Sequence, residues 1–304
     1  QLTQEFYLLS WAYSLAYFGT FLHATSFSGN KKRTNMPPIR KLTTFFARAV
    51  AGFGKTEWLV VLLLLLASFL RLWNIPNTVQ FLGDQGRDAM IVADIFLKLD
   101  PVFIGPVTSV GNMYLGPLYY YFMAPFLFLS FPSPLGPVYA VALLSIITVF
   151  LLYALGTKML GQRPALIAMG LFAIAAVVVS GSRFSWNPNL APLVSLLIIF
   201  FTHQALVKNP KYWAYALAAF AIIMQLHYMA LLSAAGMGIL WLYHGHRLAI
   251  QEKNKKLFRN FLQATGIGAC IVLLSLSPLV LFDFKHGFII QKGLIGIFTK
   301  ESRF

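Results

Sequence analysis

The chain has 304 residues, of which 58% are hydrophobic and only 11% charged, against roughly 25% charged in a soluble domain. A deficit of that size excludes an ordinary water-soluble fold, because most side chains never meet water. The net charge of +15 does not call for nucleic acid, since the basic residues sit mostly in short loops between apolar runs, and the single cysteine, Cys270, excludes a disulfide framework and a cysteine-rich metal site.

Taken in chain order, the sequence does not begin with Met, and residues 6–29 are only moderately apolar, holding Thr20, His23, Thr25 and Ser26 before the basic cluster Lys31, Lys32, Arg33. Met36 is a natural start, followed by a basic leader with Arg40, Lys41, Arg48 and Lys55. Residues 1–57 are therefore expected to be an extension and cytoplasmic leader, with one extra spanning helix as the alternative. The first clear span is residues 58–73, almost wholly aliphatic in its centre, with Arg71 expected to snorkel from its outer end and Trp73 suited to an interfacial belt. A long mixed segment, 74–136, then carries Asp84, Asp88, Asp94 and Asp100. Within it, residues 118–131 are apolar but only 14 long and interrupted by Pro125, which predicts a helix in or dipping into the interface.

Further spans are expected at 138–156, from the basic turn at Lys158 and Arg163 to about Ser180, and at 190–207. Residues 212–243 form an apolar run of 32 residues. As one helix it would reach roughly 48 Å, too long for an upright span. Two short spans meeting near Gln225, His227 and Tyr228 fit better. The last span runs 261–282, and the chain stops soon after, at Phe304, as a fragment would. The expectation is an all-α, polytopic transmembrane bundle over residues 58–304, with about seven spans and interfacial helices in the first outer loop. With the leader inside, every basic turn (Lys158/Arg163, Lys208/Lys211, Arg247–Arg259) is cytoplasmic and all five aspartates are outside. The positive-inside rule is thus obeyed at each crossing. The protein is expected in a plasma or inner membrane, with any chemistry on the extracytoplasmic face.

Several polar groups at that face are candidates for chemistry. Gly83-Asp84-Gln85-Gly86-Arg87-Asp88 puts two carboxylates four residues apart, on one helical face, with an arginine between them. A carboxylate partly desolvated near the interface is suited to general-base work, although a solvated helix cap uses the same residues. Tyr119 lies in the run Asn112 to Tyr121, which also reads as an aromatic belt. Arg183 is the sole charge in the outer loop 181–189, and its guanidinium fork matches phosphate oxygens. His227, and Asp283 with Lys285 beyond the last span, are weaker candidates for lining the same cavity. No metal-ligand spacing, phosphate loop or Ser/His/Asp arrangement is present. No cofactor is called for, and a divalent metal is left open.

The order of these features resembles the GT-C membrane glycosyltransferases. The branch it is most similar to holds the dolichyl-phosphate-mannose protein mannosyltransferases and the bacterial aminoarabinose lipid A transferase. Gly83 to Asp88 stands where that branch carries its acidic loop motif. Gly116-Pro117-Leu118-Tyr119-Tyr120 resembles its His-Pro-Pro-Leu-Tyr-Tyr segment, and Leu155-Gly156-Thr157-Lys158-Met159-Leu160-Gly161 its Leu-Gly-Arg-Arg-Leu-x-Gly inner turn. The acidic motif departs from the usual Asp-Glu pair, and Gly116 stands where His or Pro is usual. The resemblance implies transfer of a sugar from a polyprenyl-phosphate donor to a lipid, glycan or protein acceptor, with Asp84 as base and Asp88 as its partner or as the group orienting the acceptor. Arg87 would hold one of these carboxylates ionised. The alternative is a transporter or flippase for a lipid-linked or amphipathic substrate; nucleic acid is not an expected partner.

Overall fold

The computed structural model describes residues 53–108, 113–131 and 133–299, and the architecture is that of the unit Lys55–Phe304. The expectations for residues 1–52, and for Asn112, lie outside the described residues. The fold is all-α. Among the described residues no strand forms, and one isolated antiparallel bridge joins Val107 to Tyr114.

The helices are α1 (Lys55–Leu72), α2 (Gly83–Leu97), α3 (Leu118–Leu129), α4 (Leu135–Leu160), α5 (Gln162–Ile174), the short α6 (Ala176–Gly181), α7 (Ala191–Val207), α8 (Tyr212–Leu226), α9 (Leu231–His246), α10 (Lys255–Lys285) and α11 (Ile289–Thr299). By length and composition, Leu135–Leu160, Asn187–Val207 and Lys255–Lys285 are able to cross a membrane. The other expected crossings are shorter, as in α8, or carry more charge, as in α1 with Lys55, Glu57 and Arg71. Helix α3, with 12 residues, reaches roughly 18 Å, well short of the ~30 Å of hydrocarbon. The long apolar run breaks where expected: His227 is extended (φ −165°, ψ 133°) and separates α8 from α9.

The inner turn between α4 and α5 depends on Gly161, whose φ of 91° is costly for any side chain with a Cβ. Five residues earlier, Gly156 lets α5 come close, since a Cβ there would lie 3.1 Å from that of Ala165. The glycines of the Leu-Gly…Gly turn thus have separate jobs, one conformational and one of packing.

Arg71 does not snorkel. It is wholly buried, donating from Nε to Ser145 Oγ (2.9 Å), from Nη1 to the Ala173 carbonyl (2.8 Å) and from Nη2 to that of Phe172 (3.0 Å). The reason lies on the neighbouring helix. α5 stops at Ala175 (φ −58°, ψ 115°), so its last carbonyls lose their partners four residues on, and at membrane depth they need a donor. The main core gathers α2, α3, α4, α7, α8 and α10 around Tyr119, Tyr120, Val141, Val194 and Trp213. A smaller one joins α1, α4 and α5 around Val60, Val149 and Met169.

Candidate functional site

Helix α2 builds the site. It opens at Gly83, and the Gln85 side chain accepts from the Leu82 N–H (3.1 Å), satisfying one of the donors that the first turn leaves over. Asp84 sits in that first turn, where the helix dipole favours a negative charge. Helical spacing then sets Asp84, Arg87, Asp88, Ile91 and Asp94 along one stripe.

Arg87 ties the two carboxylates together. Its Nη1 lies 3.0 Å from Asp84 Oδ1, and its Nη2 lies 2.8 Å and its Nε 3.0 Å from Asp88 Oδ1. The Tyr120 hydroxyl donates to the same Asp88 oxygen (3.2 Å). The carboxylates differ sharply in exposure: the Asp84 side chain is 54% exposed and that of Asp88 only 3%. Burial pushes the Asp88 carboxyl above its ordinary value, and the hydrogen bonds from Arg87 and Tyr120 only partly offset this. Burial likewise raises the Tyr120 phenol, and the neighbouring negative Asp88 adds to it.

Beside this cluster lies a cavity of about 480 Å³ whose walls include Arg87, Ile91, Asp94, Asp100, Tyr114 and Tyr120. The bridged loop before α3 supplies part of the wall, through Gly105, Val107 and Tyr114. Gly116, in that loop, is pressed against α8: a Cβ there would fall 2.5 Å from the Gln225 side chain. Gln225 accepts from the Leu118 N–H (3.3 Å) and donates to Ser275 Oγ on α10 (2.5 Å), so one amide joins the loop to two helices. The Tyr228 hydroxyl donates to the Tyr114 carbonyl, and the Tyr114 ring meets Phe282 edge-on at 5.0 Å.

The structure brings together Asp84, Arg87 and Asp88. Tyr119 lies beside them, but its hydroxyl pairs with Ser185 (2.7 Å) and the ring is fully buried. Tyr120, the next residue, is the one that reaches Asp88. The sequence held both tyrosines, but only the rotation of α3 about its axis distinguishes them. Arg183 stands elsewhere. Its guanidinium donates to the carbonyls of Leu70 (2.8 Å) and Trp73 (2.6 Å) and to the Thr78 hydroxyl, closing the outer end of α1. His227 lies half-buried in the turn between α8 and α9, with burial lowering its pKa. Asp283 accepts from the N–H groups of Ile290 (2.6 Å) and Gln291 (3.3 Å), capping α11, and Lys285 is exposed at the end of α10. Among the described residues, no three His, Cys, Asp or Glu side chains converge as metal ligands would.

The family of dolichyl-phosphate-mannose-protein mannosyltransferases matches residues 115–282, more than half of the chain. The chain belongs to this family. It is therefore a membrane glycosyltransferase of the GT-C type, mannosyltransferase-like. No curated protein and no solved structure matches. In this mannosyltransferase-family chain the matched residues take in α3 to most of α10. Asp84, Arg87 and Asp88 precede them, so the roles of these three rest on geometry.

Proposed function

We propose that this protein transfers a sugar from a polyprenyl-phosphate donor to an acceptor hydroxyl on the extracytoplasmic face of a cell membrane, with Asp84 as general base. Asp84 removes the hydroxyl proton as the acceptor oxygen bonds to the anomeric carbon. The sugar–phosphate bond breaks, and polyprenyl phosphate leaves with the bonding pair. The observation that carries this reading is the contrast within the carboxylate pair. Asp84 is more than half exposed, with Arg87 on one oxygen, whereas Asp88 is buried beneath Arg87 and Tyr120. An exposed carboxylate held in position is suited to meeting a substrate. A buried one is suited to orienting the arginine that positions it. The adjoining cavity, with carboxylates and tyrosines in its walls, offers acceptors for hydroxyl groups and flat apolar faces for a sugar ring.

The test is turnover of radiolabelled polyprenyl-phosphate hexose by the full-length protein in proteoliposomes. Asp84→Asn keeps the shape and capping ability of the side chain but removes the base, and should lower turnover by roughly 10²–10⁴-fold at normal membrane insertion. Near-full activity in Asp84→Asn refutes the assignment.

A further inference from the structure

A second cavity, of about 250 Å³, lies among α8, α9 and α10, apart from the carboxylate cluster. Trp213, Leu217, Met237, Gly238, Trp241 and Ala269 form most of its wall. The polar atoms nearby are already satisfied: the Trp241 indole donates to Thr265 (2.9 Å) and the Trp213 indole to His244 (3.0 Å). The space is therefore dry and apolar in character, and suited to an alkyl chain. It exists because α9 stands loosely on the bundle. Within that helix only Met237 and His244 are buried, and a Cβ on Gly236 or Gly238 would meet nothing within 4 Å.

The end of the bundle nearest Trp213 is strongly basic. Lys211, Lys255 and Lys256 are exposed there, at the starts of α8 and α10. Both helices direct the positive ends of their dipoles to that side. The one carboxylate in residues 208–259, Glu252, is taken up by Arg247 at 3.0 Å, so no carboxylate of that stretch pairs with the lysines. A dry slot for a chain beneath these lysines and two helix N-termini matches an anionic lipid, as basic pockets between membrane helices do elsewhere.

The geometry points to a structural lipid site: one acyl chain of an anionic phospholipid lies between α8, α9 and α10, with its headgroup on Lys211, Lys255 and Lys256. The lipid completes the packing of α9 and is distinct from donor and acceptor. Native mass spectrometry and thermal unfolding of the full-length protein in detergent test this, with phosphatidylglycerol and phosphatidylcholine of identical chains as probes. One phosphatidylglycerol per chain should be retained and should raise the melting temperature, with phosphatidylcholine bound roughly tenfold more weakly. Gly238→Leu, which fills the slot, should abolish retention. Replacing the three lysines by Gln, all at the surface, should reduce phosphatidylglycerol binding to the phosphatidylcholine level. Equal binding of the two lipids, retention of polyprenyl phosphate instead, or undiminished retention in either variant overturns the proposal.

Discussion

Replacing Asp88 by Asn separates the positioning carboxylate from the proposed base. Asn keeps an acceptor oxygen where Asp88 Oδ1 receives Arg87 Nη2 at 2.8 Å, Arg87 Nε at 3.0 Å and the Tyr120 hydroxyl at 3.2 Å. What disappears is the charge. Hydrogen bonds to an ionised group contribute about 1.5–3 kcal/mol each and neutral ones about 0.5–1.5, so two arginine bonds lose roughly 2–3 kcal/mol at full burial. The Arg87 side chain is 35% exposed, and solvent screening reduces this to about 1–2 kcal/mol. If the loss falls on the alignment of Asp84, kcat/KM should drop on the order of tenfold, at 1.4 kcal/mol per factor of ten. That is far less than the loss expected for Asp84→Asn. The pH dependence carries the sharper test. Burial raises the Asp88 pKa, so on acidification its negative charge is lost above the ordinary carboxylate value of about 3.9. The wild-type advantage over Asp88→Asn should therefore be full at neutral pH and shrink as the pH falls, beginning above that value. The readout is the ratio of the two kcat/KM values across pH in proteoliposomes. A ratio unchanged down to about pH 4, or a loss as deep as that of Asp84→Asn, refutes the division of roles.

Gly116→Ala should lower the melting temperature of the detergent-solubilised protein, by about 1–3 kcal/mol in stability, since its Cβ collides with Gln225. In a Gln225→Ala background the cost of Gly116→Ala should shrink, because the colliding side chain is gone. Arg183→Leu should destabilise the protein by about 1–3 kcal/mol by leaving the Leu70 and Trp73 carbonyls without its donors. The KM for the lipid donor should stay within about twofold of wild type, whereas a phosphate ligand would lose far more. For topology, single cysteines placed in a Cys270→Ser background should react with an impermeant maleimide from outside at Leu99 and Lys285, and from inside at Lys158 and Lys255. All four positions are exposed, and labelling of both pairs from one face overturns the orientation.

The helical bundle was legible because its signal is repeated. Each apolar run ends in a basic turn or a polar break, and one lost crossing would invert every later loop. The break at residues 227–230 was visible because 32 apolar residues are too many for one span. The burial of Arg71 was not foreseen, and the hydrogen bonds of Arg183 to the end of α1 were not legible either. Hydropathy assigns a charged residue at a helix end to the interface or to a ligand, and it has no way to register that α5 breaks at Ala175, where the residues Ala-Ile-Ala-Ala look like continuous helix. The carboxylate pair on α2 was legible from spacing alone. The choice of Tyr120 over Tyr119 was not, because it depends on which side of α3 faces α2. Helix α11 was not foreseen either. It is only 11 residues long, and its cap comes from Asp283, which the sequence offered as a cavity residue.

The placement of Arg71 and Arg183 also bears on how the segment carrying the carboxylate pair is held. Arg71, from the last turn of α1, bonds the carbonyls exposed where α5 breaks. Arg183, from the turn that follows α6, bonds the carbonyls at the end of α1 and the Thr78 hydroxyl beyond it. Each arginine thus closes the open end of a neighbouring helix, and α1 cannot shift along the bundle without leaving these carbonyls short of their donors. Thr78 is six residues before Asp84. The chain entering α2 is therefore anchored a short distance before the carboxylate pair, while Tyr120 on α3 fixes the pair from the other side through Asp88. Asp84 itself needs neither burial nor a dense set of partners, because the fixed points on either side of it are supplied by groups that are themselves hydrogen-bonded. A mobile outer loop carrying the same Asp-Gln-Gly-Arg-Asp residues would have the chemistry but not the position, and alignment to within a fraction of an ångström is what a general base requires.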